Sequence, residues 1–512
     1  MDTLIDALRE QAQRHPQRCF VRSADGELSY QEFVSAVSRC ATGLDLIGVR
    51  EGDRVAVMLR NHFEHLVLVY ALKRVNAVHV PVSIHLKSAG VELLLDDVRP
   101  HLLFAEAEFA DVVRAASQRS RVRPRQVWRR PSEELLREGD DLGAVLDCGR
   151  PTVDTVWYDL DRLDQVSYTS GTTGAPKGAK LTDRYLQLGA RSARDLASIG
   201  PADNLLLWEP LYHGGGWTAI YAAILAGASV SMVEKFSASR CWDQTREFGC
   251  TRLHYLGAVV NLLLKQQPRD DDADNPVEIA WGAACPQDSW VRFEERFGVE
   301  VREGYGLTEG ADFALLNIDG PVGSMGRPIP EFEAWVESQP GVRAPQGSPG
   351  ELVLRPHAEK LTMAGFFRNG EASERVLSGG LVRTGDLAVE LEDGYFGFQG
   401  RVTDSLRRRG ENVSAWEVER VAEQNPEITE AAVIGVPSEM GEEDIKIFIR
   451  REPGSDIGPE AVLEWCRERL AYYQVPRYVE FVEDFPRGAT QRVRKSALSR
   501  DVEGVYDAEG AQ

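Results

Sequence analysis

Apolar and polar positions in the first three-fifths of the chain follow two alternating periods. Ser29-Tyr30-Gln31-Glu32 has the Ser-x-x-Glu spacing of a capping box, and Phe33, Val37, Ala41 and Leu44 then recur as one apolar helical stripe. Residues 54–59 form a short apolar run that predicts a buried strand. Residues 64–75 read as a helix and residues 78–82 as the next strand. Strands alternating with helices imply α/β layers around largely parallel sheets. From about Pro321 to Gly400 the texture changes, and short strand-like runs (331–337, 351–355, 388–391, 395–399) alternate with Gly/Pro/Asp turns. That pattern predicts a small β-rich subdomain. After Arg401, helices at 416–422 and 459–470 and strands at 431–435, 445–449 and 477–482 predict a compact α+β segment. Its length of about 110 residues suffices for an independent domain.

The expected architecture is therefore α/β, with a large N-terminal domain of two α/β subdomains plus a β-rich one, and a small mobile α+β domain behind it. The boundaries are 1–400 (β-rich over 321–400), a hinge at 401–403 around Arg401-Val402-Thr403, and a lid at 404–512. The 512 residues agree with more than one domain, since a single core rarely grows past roughly 250–300 residues.

Composition narrows the function. The net charge is −21 and the pI about 5.0, which argues against nucleic acid or an anionic membrane as partner while leaving room for a local anion site. The seven cysteines contain no C-x-x-C and have wide spacing, as suits a reducing cytoplasm. The N-terminus Met1-Asp2-Thr3 is acidic and no apolar leader segment follows, so a cytoplasmic location is expected. The uncharged run between Glu209 and Glu234 is long enough to cross a membrane. It contains His213, Gly214, Gly215, Gly216, Gly227, Ser229 and Ser231, which fit a loop, a buried helix and a buried strand better. A monomer or homodimer is expected.

The strongest local signal is Tyr168-Thr169-Ser170-Gly171-Thr172-Thr173-Gly174-Ala175-Pro176-Lys177-Gly178. Glycines allow close backbone approach to an anion, the Ser/Thr hydroxyls donate, and Lys177 brings charge, which is what a triphosphate requires. It is not a Walker A loop, because Pro176 and Gly178 stand where that motif has Gly and Ser/Thr.

This loop resembles the phosphate loop of the AMP-forming adenylating superfamily, which includes acyl-CoA synthetases, luciferases and adenylation domains. Further matches follow in the family's order over nearly the whole chain. They are the aromatic-His gate 209–217, the adenine and magnesium motif Gly304-Tyr305-Gly306-Leu307-Thr308-Glu309, the ribose motif Thr384-Gly385-Asp386, and the hinge motif from Gly400-Arg401 into Arg409-Gly410-Glu411-Asn412-Val413. The details look most like carnitine/crotonobetaine-type CoA ligases.

The resemblance implies ATP, Mg²⁺ and a small acid, with CoA as the usual acceptor and an amine as the alternative; a non-catalytic nucleotide-binding homologue is the third reading. Catalytic roles fall to Lys177, Thr308, Glu309, Arg401, Arg492 and His213, with Glu309 holding Mg²⁺. Nucleotide contacts fall to Thr169, Ser170, Gly171, Thr172, Thr173, Gly174, Gly282, Ala283, Ala284, Glu303, Gly304, Tyr305, Gly306, Asp386 and Arg401. The acid pocket falls to Tyr212, His213, Gly214, Trp217, Tyr255, Gly257 and Trp281, with ordinary core packing the competing reading for each aromatic. Amino-acid-activating relatives carry an aspartate in the gate segment. His213-Gly214-Gly215-Gly216-Trp217 has none, which disfavours an α-amino acid. No carrier-arm site follows the last domain, which implies a free-standing activator.

The chain departs from the pattern at its end. The family's closing motif has Gly-Lys where this chain has Gln491-Arg492, and a guanidinium does not simply replace a point-charge ammonium. Arg492 takes over, or Lys495 reaches in, or the oxyanion differs, nitrite being one that some relatives activate for diazo formation on an aromatic amine. Thr403 stands where the hinge has Asp or Lys. Arg407-Arg408-Arg409 would guide a polyanion such as CoA or form a solvated basic face.

Overall fold

The computed structural model describes residues 3–148, 159–169, 176–285, 287–401, 405–438, 441–486, 493 and 495–510. The expected elements are present with small shifts at their ends. Ser29 caps helix Tyr30–Leu46 with both halves of the capping box, its hydroxyl accepting from Glu32 N–H and its own N–H donating to the Glu32 carboxylate. Strand Arg54–Met58, helix Phe63–Arg74 and strand Val78–Pro81 follow. They join a seven-stranded sheet that ends on the hairpin Leu163–Thr169 and Lys177–Thr182. Pairing is parallel up to strand Leu163–Thr169 and antiparallel across the hairpin.

The second sheet has a parallel centre in the order Cys19–Ser23, Ser229–Met232, Asn204–Leu207, Arg252–Leu256, Ile279–Ala283 and Glu300–Leu307. From Glu300–Leu307 onward its pairing turns antiparallel, through Ala311–Asn317 and Ser324–Pro328 into strands Phe396–Arg401, Val382–Glu390, Pro349–Pro356 and Phe332–Gln339. The β-rich region therefore begins near residue 311, slightly before the change of texture in the sequence, and is hydrogen-bonded into the second sheet.

The uncharged run between Glu209 and Glu234 resolves into a loop, helix Gly214–Ala226 and strand Ser229–Met232. The helix is apolar on all sides because it is buried on all sides after its first turn, and Gly227 ends it in the left-handed region at φ 71°. No helix among the described residues is long and apolar enough to cross a membrane.

The C-terminal α+β unit has its own core, with Val418, Val433, Ile447, Val462, Leu463 and Cys466 among its members. It packs helices Ala415–Glu423 and Pro459–Arg469 against a sheet of Ile428–Pro437, Glu443–Arg451, Tyr478–Phe481 and Tyr506–Asp507. A separate hairpin, Ser405–Arg408 with Glu411–Ser414, projects from it. The turn of that hairpin holds Arg409 at φ 54° and Gly410 at φ 80°, a conformation glycine adopts without strain.

Candidate active site

The phosphate-loop residues Ser170, Gly171, Thr172, Thr173 and Gly174 lie outside the described residues, but both anchors of the loop are defined. Thr169 and Lys177 face each other at the connected end of the hairpin of Leu163–Thr169 with Lys177–Thr182. Lys177 is half-buried, and its ammonium lies 5.5 Å from the centre of the Phe366 ring. Burial, helped by the Arg375 charge, pushes the Lys177 pKa down, and nearby Glu309 opposes the shift.

Phe366 reaches this place because residues 363–367 run alongside strand Lys177–Thr182. Ala364 N–H donates to Lys180 O at 2.8 Å, Lys180 N–H to Gly365 O at 3.0 Å, and Phe367 N–H to Gly178 O at 2.6 Å. At its start the same segment donates from Met363 N–H to Glu309 O at 3.4 Å. One short strip of backbone thus ties the Lys177 strand to the Glu309 turn. Nothing in the motif pattern pointed to it, although Gly365 at φ +82° followed by two phenylalanines marks a sharp turn into a buried edge.

The adenine and ribose motifs also meet. Tyr305 is 8% exposed, and its hydroxyl donates to Asp386 Oδ2 at 2.7 Å. Antiparallel register places Asp386 opposite Arg401. Thr308 and Glu309 occupy the turn between strands Glu300–Leu307 and Ala311–Asn317, both half-buried.

Glu303 has a different occupation. It is buried and receives the Tyr255 hydroxyl at 2.6 Å, the Cys285 N–H at 3.1 Å and the Ala284 N–H. Burial pushes its carboxyl up to about 8 against these donors. The carboxyl braces the bend after strand Ile279–Ala283, where Ala284 sits at φ 63°. Gly257 and Gly282 belong to the same knot, since a Cβ on either would lie 1.9 Å from a backbone oxygen, that of Ala284 or Tyr255. Ala283 ends the strand, paired with Leu256. Gly304 and Gly306 are equally tight, against Phe313 and the Asp312 carbonyl.

The gate joins the two domains. His213 precedes helix Gly214–Ala226, and its Nε2 lies 2.7 Å from Glu411 Oε1 in the C-terminal hairpin. Burial alone would lower the imidazole pKa, but Glu411 and Glu209 raise it above the ordinary histidine value. Burial alone would raise Glu411, but paired His213 and nearby Arg407 and His85 hold it below the ordinary carboxylate value. Both shifts favour the charged form of the pair. Around it, Tyr212 packs 4.7 Å from His213 and 6.1 Å from His85, and His85 packs 4.8 Å from Tyr472 of the C-terminal domain.

Three aromatics expected in the acid pocket are fully buried. Trp217 is 1% exposed, Tyr255 1% and Trp281 0%. Trp217 donates from its indole to Leu211 O at 2.6 Å, Tyr255 is bound to Glu303, and Trp281 packs 4.4 Å from His254. Tyr212 is nearly buried, His213 half-buried, and only Gly214 of this set is exposed.

Arg492 lies outside the described residues, and nothing is described of the Arg401 side chain. Lys495 pairs with Glu419 of helix Ala415–Glu423 at 2.7 Å. In the Arg407-Arg408-Arg409 run, Arg408 is buried and donates to Asp444 at 3.0 Å, while Arg409 pairs with Glu509 at 2.6 Å. No group of three or more His, Cys, Asp or Glu among the described residues could hold a metal by itself. A carboxylate such as Glu309 could serve an ion that takes most of its ligands from phosphates and water, as Mg²⁺ does.

A large α/β domain followed by a small α+β domain is the architecture of a class of adenylating enzymes. Residues 8–367 match the AMP-binding enzyme family, and residues 417–492 match the AMP-binding enzyme C-terminal domain. The chain belongs to this family and is an AMP-forming ligase. It is 28% identical over 494 residues to a crotonobetaine/carnitine–CoA ligase from Salmonella arizonae, covering 93% of this chain and 94% of that one. Its fold superposes with a TM-score of 0.85 on a double mutant of the o-succinylbenzoate CoA synthetase from Bacillus subtilis (22% identity, 97% and 98% covered). It superposes equally well, at 0.85, on an amide bond synthetase from Marinactinospora thermotolerans (23% identity, 97% and 98% covered).

Proposed function

We propose that the protein activates a small carboxylic acid with ATP and passes the acyl group to coenzyme A. In the first step a carboxylate oxygen attacks the α-phosphorus of ATP, the bond to the β-phosphate oxygen breaks, and pyrophosphate leaves. Lys177, held near Glu309 by the 363–367 strip, supplies charge to the departing phosphates. Tyr305 and Asp386 hold the adenosine end, the tyrosine by its ring and the aspartate by accepting from the ribose hydroxyls. Arg401, opposite Asp386, adds a fork of donors toward ribose or phosphate oxygens. Glu309 would hold Mg²⁺, which neutralises phosphate charge when bound with ATP. In the second step a thiolate attacks the acyl carbonyl and AMP leaves with the bonding pair.

The observation that carries the two-step reading is the His213–Glu411 contact. It brings a hairpin of the C-terminal domain against the segment that precedes helix Gly214–Ala226, which supports an acid site attended by both domains. A lid that docks there can present the acceptor after the first product has formed.

An amine acceptor is the second reading. It is supported by the fold shared with an amide bond synthetase and by Arg492 in place of the family's lysine. It includes nitrite as the activated acid. Pyrophosphate release would be measured over a panel of acids plus nitrite, with CoA or an arylamine added in turn. CoA-dependent thioester formation from a carboxylate is the expected result. Turnover that requires an amine, or nitrite with an arylamine, replaces the first reading by the second.

A further inference from the structure

Gly214 opens the gate helix on the solvent side, and the space over its α-carbon is open. A Cβ there would have a single atom within 4 Å, Asp312 Oδ1 at 3.9 Å. Apart from the helix itself and the neighbouring residues, the half-buried Asp312 carboxylate is thus the group that faces Gly214. It comes from strand Ala311–Asn317, almost a hundred residues further along the chain. Its described donors are both neutral: the Tyr185 hydroxyl to Oδ1 at 3.1 Å and the Thr218 hydroxyl to Oδ2 at 2.5 Å. Each oxygen receives one hydrogen bond and has capacity for a second. Among the described residues no Lys, Arg or His pairs with it.

A second acid stands beside the first turn of the same helix. Glu209 is 6% exposed, and its Oε1 would lie 2.5 Å from a Cβ on Gly215. Its other oxygen is 2.9 Å from His254 Nδ1, but the pair lacks hydrogen-bond geometry, so both atoms are buried without a bond. Trp281, stacked edge-on against His254 at 4.4 Å, also has a buried indole N–H without an acceptor. A carboxylate taken from water without a countercharge is costly unless a partner arrives. Here no protein cation fills that role for Asp312, and the open space leads to it.

We propose that the acid activated by this protein carries an amino or ammonium group, and that Asp312 is the residue that selects it. The nitrogen would donate to Asp312 while the carboxylate end points toward ATP, with Glu209 adding negative potential from behind the gate helix. This rests on the reading that the gate covers the acid's site. It also revises the expectation drawn from the gate segment. The stretch His213–Trp217 lacks an acid of its own, and tertiary structure brings Asp312 to it from another strand.

Pyrophosphate release with the full-length protein would be compared within matched pairs, benzoate against the three aminobenzoates and propanoate against β-alanine. The wild type is expected to favour the amino member of at least one pair by about 10-fold or more in kcat/KM, since a site built for a donor rejects the analogue that lacks it. Asp312→Asn, which keeps the shape but loses the charge and one of the two acceptor oxygens, is expected to remove that preference while leaving KM for ATP unchanged. A wild type that favours the unsubstituted acid in every pair overturns the proposal, and this arm stands even if the variant fails to fold. A variant with unchanged preference also overturns it, while acid activation itself stands. Release with none of these acids overturns this proposal, and release with nitrite in their place leaves adenylation itself standing.

Discussion

At the residue scale, the chemistry turns on a few charges whose surroundings differ sharply. Lys177 is partly desolvated beside Phe366 and feels the Glu309 charge, a setting that would strengthen the proposed action of its ammonium on a phosphate. Lys177→Ala is expected to slow pyrophosphate release roughly 10²-fold or more through lost charge stabilisation, read in a single-turnover assay with saturating ATP. Glu303 makes a different prediction, one about stability. Its folded pKa, about 8, lies above the ordinary carboxylate value because the carboxyl is buried. The folded state therefore holds a proton that the unfolded state releases. That stabilisation is complete below the unfolded value and is lost as pH rises through about 8. Urea midpoints measured from pH 5 to 9 should fall over this window in the wild type and flatten in Glu303→Gln. At this scale the sequence reading named Tyr305 and Asp386 from two separate motifs, and the fold joins them by a hydrogen bond. It missed Asp312 and Phe366, which carry no motif and matter only through the strand each one is paired to.

At the scale of elements, the strand-to-bend knot around Gly257, Gly282 and Glu303 supports the nucleotide side. A methyl group on Gly282 would sit 1.9 Å from Tyr255 O, so parallel strands Arg252–Leu256 and Ile279–Ala283 could not keep their spacing. Gly282→Ala is expected to cost at least about 2 kcal/mol, read as a shift in the urea midpoint. The arginine run in the C-terminal hairpin divides by position. Arg408 is 3% exposed and bonded to Asp444, so Arg408→Ala should destabilise the C-terminal domain by roughly 3 kcal/mol. Arg409, whose partner Glu509 is itself half-exposed, should cost no more than about 1 kcal/mol. Hydropathy along the chain cannot separate these neighbours. Alternation on a two-residue hairpin turn points one inward and leaves the other at the rim.

At the scale of the whole molecule, the contact that matters crosses the domain boundary. His213 and Glu411 attract as a charged pair between the lowered carboxylate pKa and the raised imidazole pKa. The raised imidazole value sets the upper edge. The pair is complete below the ordinary histidine value of about 6.5 and is lost as pH rises through the higher folded value. Transfer to the acceptor should therefore slow with rising pH more steeply than adenylation does. Glu411→Gln should flatten that difference and reduce transfer while leaving pyrophosphate release largely intact. Separate quenched-flow measurements of the two half-reactions across pH 6 to 9 check it, and equal losses in both would place Glu411 outside the transfer step.

The order of helices and strands, the change from α/β to β-rich texture and the small final domain were all legible in the chain, because periodicity is a local property that burial later respects. So were the motif residues whose neighbours in sequence are also their neighbours in space. Tertiary structure alone decided which aromatics near the gate are core rather than pocket. It alone decided that Glu303 is spent on bracing a bend, and that Asp312 faces the open side of Gly214. Those outcomes depend on strand register and on the docking of two domains, which bring together residues about a hundred or two hundred positions apart. No local pattern of hydrophobic and polar residues encodes such pairings.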